Sequence, residues 1–186
     1  LTALLAERAH WAETGEHLLS GFFIIDMALR TDPEGAGKVG AFMLAHAAEG
    51  FASVEDAADA VAAFLERPRP KNTDGLRKNL RQRPDGRWRW HWDPRFMEGA
   101  HNINSDRDAI DADLKAAARD TALPILLVRG ASSEVVREEH AQEFLEIAPR
   151  ARYISVAGAH HMVVGDSNDA FTQTLLGFLD EVAPLV

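Results

Sequence analysis

The sequence predicts an α/β fold, a mostly parallel sheet interrupted by a mostly helical insertion, and three observations carry that reading. Three short continuous apolar runs read as buried strands: FFIID at 22–26, PILLVR at 124–129 and YISVA at 153–157. The last two alternate with helical patterns at about 137–148 and 168–182, the βαβ arrangement of a parallel sheet. The residues between the first two runs read as helices joined by Pro-rich breaks. The predicted organisation is therefore core at 1–29, insertion at 30–120 and core again at 121–186.

Taken in order, LTALLAERA at 1–9 is apolar at helical spacing but has no capping residue before Leu1. After FFIID, Asp32-Pro33-Glu34 has the form of a helix start: Asp as N-cap, Pro at the first position and an acid in the first turn. That helix is expected to run through Phe42 and Met43 towards His46. Ser53 with Asp56 three residues on marks another start, continuing to Glu66, where RPRPKN breaks it. A helix is expected near 73–82, followed by a turn at Pro84-Asp85-Gly86-Arg87. RWRWHW then alternates strictly, which puts Trp88, Trp90 and Trp92 on one face of an extended segment. A polar helix is expected from Ser105 to Ala118.

The chain has 186 residues and no cysteine, which excludes a disulfide framework, a thiolate metal site and a cysteine nucleophile. It has no apolar run of membrane-spanning length, and a cytoplasmic protein is the expectation. The net charge is −9, but residues 67–95 carry +7 and the remainder −16. Basic residues interleaved with tryptophans could bind single-stranded nucleic acid. A solvated face paired with the acidic remainder is the reading preferred, because the protein as a whole repels a polyanion. Three strands alone would leave an apolar sheet edge open, so the chain is expected to lack part of its sheet and to belong to a larger domain.

The chemistry-bearing residues gather at two strand ends. Gly130-Ala131-Ser132-Ser133-Glu134 follows PILLVR, and Gly158-Ala159-His160-His161-Met162 follows YISVA. Ligands in parallel sheets sit outside the carboxyl ends of strands. A carboxylate and an imidazole meeting there could supply the acid and base of a nucleophile–His–acid triad. Elsewhere, His91-Trp92-Asp93 and His101 lack metal-ligand spacing. Gly35-Ala36-Gly37 has neither the strand nor the Lys-Ser/Thr of a phosphate loop.

These segments, in this order, resemble the C-terminal two-thirds of an α/β-hydrolase. LTALLAE resembles the start of the helix after the nucleophile elbow, and FFIIDMALRTDPEG the next strand and the way into the cap. GFASVEDAADAVAAFLERPRP through GRWRWHWDPRF resembles the cap of a bacterial subgroup described as epoxide-hydrolase-like or cofactor-free-peroxidase-like. LPILLVRGASSEVV and VAGAHHMVVGDSNDAF resemble the segments bearing the triad acid and histidine. The resemblance implies His161 as catalytic base, with His160 where a Gly is common, and Glu134 as acid where many relatives have Asp. Asp26 is the rival acid, since some members take it from the strand after the nucleophile; its plainer reading is a residue bonding nearby amides.

No G-x-S-x-G occurs in the sequence, and Ser132, Ser133 and Ser155 sit in no elbow. The nucleophile is therefore expected in an N-terminal segment of the same protein. A Ser there would imply esterase or perhydrolase chemistry, an Asp epoxide hydrolase or dehalogenase chemistry. The expected substrate is a small uncharged ester-like or epoxide molecule, with Phe42, Met43 and Trp92 as pocket candidates. No metal, organic cofactor, nucleic acid or membrane is implied, and homo-oligomerisation is left open. The alternative is a non-catalytic fragment or binding module that folds against an N-terminal partner segment.

Overall fold

The computed structural model describes residues 1–98, 107–163 and 168–183. The elements are α1 (Thr2–Thr14), β1 (Phe22–Ile25), α2 (Pro33–Ala45), α3 (Val54–Phe64), α4 (Asp74–Arg77), β2 (Leu80–Gln82), β3 (Trp88–Trp90), α5 (Arg95–Glu98), α6 (Arg107–Asp120), β4 (Ile125–Gly130), α7 (Glu138–Ile147), β5 (Arg152–Val156) and α8 (Asn168–Val182). They form two compact units, one of Leu1–Ala36 with Asp106–Val186, the other of Gly37–Ser105. The second unit lies within the 30–120 insertion expected from sequence and is shorter, because α6 packs on α1 in the first.

The first unit is built on a parallel sheet in the order β1-β4-β5, with Phe22 opposite Ile125 and Leu126 opposite Arg152. β4 is buried along its whole length, as its unbroken apolar run requires. Its side chains alternate between two cores. Ile125 and Leu127 join Leu4, Phe22, Ala117, Ala118, Ala141 and Phe144, which come from β1 and from α1, α6 and α7. Leu126 and Val128 join Val156, Phe171 and Phe178, the last two from α8. Each large apolar side chain buried this way stabilises the unit by about 1.5–3 kcal/mol. The expectation of three strands buried on both faces holds only for β4. β5 keeps Ile154 39% exposed and is buried only at Val156, because β4 alone pairs with it among the described residues.

Local signals behave as their chemistry dictates. Asp32 Oδ1 accepts the Gly35 amide at 2.7 Å and starts α2; Ser53 Oγ accepts the Asp56 amide at 3.0 Å and starts α3. Leu1 stands at the N-cap of α1 without a side-chain cap bond, and the helix runs beyond residue 9 to Thr14. The helix expected at 73–82 is instead a single turn, α4, followed by β2. β2 and β3 form an antiparallel hairpin pairing Leu80 with Trp90 and Gln82 with Trp88. The Pro84–Arg87 turn closes that hairpin, and cross-strand pairing overrides local helical spacing.

The second unit has its own small core of Phe51, Val54, Ala57 and Leu80. Phe42 stacks on Phe64 with centroids 4.3 Å apart, and Phe51 meets Trp90 edge-on at 5.2 Å. Among the described residues no helix is long and apolar enough to cross a membrane.

Candidate active site

Asp26 follows the last residue of β1 and has φ +42°, a left-handed conformation that Asp tolerates better than most side chains at a cost of about 1 kcal/mol. It is 1% exposed, so an unpaired carboxylate here would carry a large desolvation penalty. Three donors offset it. Oδ1 accepts the Gly130 amide at 2.8 Å, while Oδ2 accepts the Ser133 hydroxyl at 2.5 Å. Oδ2 also meets His161 Nδ1 at 2.7 Å. An acceptor-only carboxylate facing Nδ1 places the imidazole proton there and leaves Nε2 to accept another.

The histidine reaches this position through two laced loops. Ala131 donates its amide to the Val156 carbonyl and Ser132 to the Ala159 carbonyl, each at 2.9 Å. A side chain at Gly130 would put its Cβ 2.2 Å from the His160 carbonyl oxygen, so only glycine admits this approach. From this shared backbone, the adjacent imidazoles diverge. His161 pairs with Asp26, whereas His160 Nδ1 stands 3.9 Å from Glu134 Oε2.

The pairing of Glu134 with His161 expected from sequence therefore differs from the geometry. The turn after β4 turns Ser133 inward, 6% exposed, whereas the Glu134 side chain is half-buried and lies on the His160 side. Glu134 Oε2 has no hydrogen-bond partner among the described residues. Asp26, the rival acid, is the carboxylate that meets His161.

The Ser133 loop is held from both sides. Asp32 donates its amide to the Val135 carbonyl at 2.8 Å, and its carboxylate pairs with Arg137 at 2.6 Å. A Cβ on Gly35 would collide with the Glu134 carbonyl oxygen at 1.9 Å, so the start of α2 lies directly against the loop. Arg129, buried at the end of β4, donates from Nε to the Val136 carbonyl at 2.6 Å. Its Nη1 pairs with Glu138, which also accepts the Tyr153 hydroxyl at 2.7 Å. That hydrogen bond lowers the Glu138 pKa, and burial followed by Glu138 raises that of Tyr153.

The other candidates from sequence lie in the second unit. Phe42 packs against Phe64 and Trp90, Met43 is half-buried, and Trp92 borders a cavity of about 40 Å³ with Ala47, Arg83, Arg89, Trp90 and Pro94. The basic stretch is largely occupied in holding its own unit together. Arg87 and Arg89 donate to the carbonyls of Ala48, Glu49 and Gly50, and Arg77 stacks over Trp88 at 5.2 Å. In the first unit, a cleft of about 210 Å³ is lined by Leu4, Glu7, Trp11, His17 and Asp120, among others, and by neither Asp26 nor His161. His101 and Ser105 lie outside the described residues. Among the described residues no group of three His, Asp or Glu could hold a metal ion.

Ser133 and Gly130 stand in the loop expected from sequence, but without a signature of these roles. The only signal for either is position, a glycine at a strand's end with a hydroxyl three residues later. Nothing in that pattern says where the hydroxyl points.

No family model matches the chain. A 78-residue segment, 40% of the chain, is 33% identical to polyketide synthase ThaQ of Burkholderia thailandensis, of which it covers 4%. Among solved structures, an E-2-(acetamidomethylene)succinate hydrolase is similar over 91% of this chain and 60% of its own, with TM-score 0.70 and 22% identity. An α/β hydrolase from Novosphingobium aromaticivorans is similar over 94% of this chain and 62% of its own, with TM-score 0.66 and 16% identity. An esterase from Mycobacterium tuberculosis is similar over 95% of this chain and 57% of its own, with TM-score 0.63 and 23% identity. The chain thus spans about three-fifths of these solved structures and a small part of the polyketide synthase.

Proposed function

We propose that this chain, which has the α/β-hydrolase fold, supplies the acid–base half of a hydrolase acting on a small uncharged ester-like substrate. The observation that carries the reading is the buried Asp26 carboxylate 2.7 Å from His161 Nδ1, at the ends of β1 and β5. In this reading Asp26, rather than Glu134, is the acid. It fixes the imidazole tautomer and stabilises the imidazolium that forms when Nε2 takes the nucleophile's proton. The nucleophile's oxygen bonds to the carbonyl carbon, and the carbonyl electrons move onto oxygen. Collapse then expels the alkoxide, which receives its proton from His161 Nε2. Water repeats the sequence on the acyl-enzyme and regenerates the nucleophile.

The sequence holds no G-x-S-x-G elbow, so the reading places the nucleophile outside these 186 residues, as a serine. Serine is preferred to aspartate, and ester hydrolysis to epoxide opening, because the structural relatives include a named esterase. The test is ester hydrolysis by the protein at its full natural length, combined with fluorophosphonate labelling. The reading predicts a single labelled serine outside 1–186 and a loss of turnover on the order of 10⁴-fold in His161→Ala. His160→Ala should stay within about threefold, as a half-exposed side chain away from the acid. A label on Ser132, Ser133 or Ser155, or full turnover in His161→Ala, would overturn the reading.

A further inference from the structure

We infer that Ser133 is a positioning residue, which acts on His161 by fixing the Asp26 carboxylate; the inference rests on the acid–base reading above. A hydroxyl has one proton to give and two lone pairs to receive with. Ser133 Oγ accepts the Val135 amide at 3.2 Å and the Val136 amide at 3.1 Å, which occupies both acceptor directions. One direction remains for the proton, and Asp26 Oδ2 lies along it at 2.5 Å. The hydroxyl therefore has no rotational freedom and donates permanently to the same carboxylate oxygen that holds His161.

This arrangement matters because the backbone alone does not orient the carboxylate. The Gly130 amide binds only Oδ1, and a single hydrogen bond restrains the broad torsion about the Asp26 Cβ–Cγ bond only loosely. Ser133 removes that freedom at the other oxygen. Its own position is set by the locked loop: α2's start presses on Glu134 through Gly35, Asp32 binds Val135, and Arg129 binds Val136. All of these groups lie in one compact unit. The loop after β4 thus contributes a hydroxyl to the site, while its neighbouring carboxylate, Glu134, faces His160.

The experiment compares Ser133→Ala and Ser133→Thr in the protein at its full natural length. The His161 Nδ1 proton, shared with a carboxylate, should give a far-downfield NMR signal, assigned by its absence in His161→Gln. In Ser133→Ala the signal should shift or vanish, and kcat should fall roughly tenfold to a hundredfold with little change in KM, as for misplaced catalytic geometry. Ser133→Thr, which keeps the hydroxyl, should restore both. An unchanged signal in folded Ser133→Ala overturns the inference. If Ser133→Ala does not fold, Ser133→Cys, a weaker donor, decides in its place: a displaced signal supports the role and an unchanged one overturns it. The signal is read without substrate, so a protein that hydrolyses no ester still reports on Ser133, and the two proposals fail separately.

Discussion

At Asp26 and Gly130 the local backbone carries as much of the site as the side chains do. Asp26 leaves β1 with a positive φ, and Gly130 leaves room for the His160 carbonyl that no Cβ could share. Gly130→Ala sets a methyl against backbone, which cannot rotate aside. It should therefore part the two loops and destabilise the protein by about 1–3 kcal/mol, measured by urea denaturation. The same residues mark the limit of what the sequence reveals. Chain order and resemblance point to the loops after β4 and β5, and both loops do meet. Which of two carboxylates meets the histidine depends on a dihedral angle at residue 26 and on a turn that faces Ser133 inward. Neither has a signature in composition or spacing. Asp26 was legible only as an alternative, and Ser133 only as a hydroxyl in no elbow.

Among elements, α1 shows how a helix without an N-terminal side-chain cap is anchored through its middle. Buried Glu7 accepts His17 Nδ1 at 2.6 Å and the amides of Leu18 and Leu19 at 3.0 Å, so it ties down the segment leading into β1. The His17 hydrogen bond lowers the Glu7 pKa from 4.5, against the opposing effect of burial. Because its folded pKa lies below the unfolded one, the unfolded chain binds more protons between the two. The contribution is present above about pH 4.5 and is lost as the pH falls through the folded value. Glu7→Gln should therefore flatten the acid side of the stability–pH curve, measured by thermal unfolding between neutral pH and the acid transition. Helix starts with a capping chemistry, at Asp32 and Ser53, were legible in sequence because the signal is local. The Pro84–Arg87 turn and the extended β3 were legible too, but β2 was not, because its pairing of Leu80 with Trp90 joins residues that no helical or strand period relates.

For the whole molecule, the charge asymmetry and the two cores are separate matters. The +7 window at 67–95 reads from sequence as a solvated face paired with acidic residues rather than a binding face, and Arg87 and Arg89 cover backbone carbonyls beyond α2 while Arg69 pairs with Asp59. Much of the positive charge serves the packing of its own unit. The first unit is organised by β4, whose alternating side chains serve a core on each face. The burial of β4 is what its unbroken apolar run between helical patterns predicts. The exposure of β5 is not legible in this way, because an edge strand and a central strand can share the same apolar composition and differ only in their neighbours.

The central claim is that Asp26, rather than Glu134, serves His161, and comparing two isosteric variants in one ester-hydrolysis assay tests it most directly. Asp26→Asn keeps the shape of the side chain but removes its charge, and should lower kcat on the order of 10⁴-fold. Glu134→Gln should leave kcat within about threefold, as at a partly exposed position. The reverse order, with Glu134→Gln crippled and Asp26→Asn near full turnover, would contradict the account.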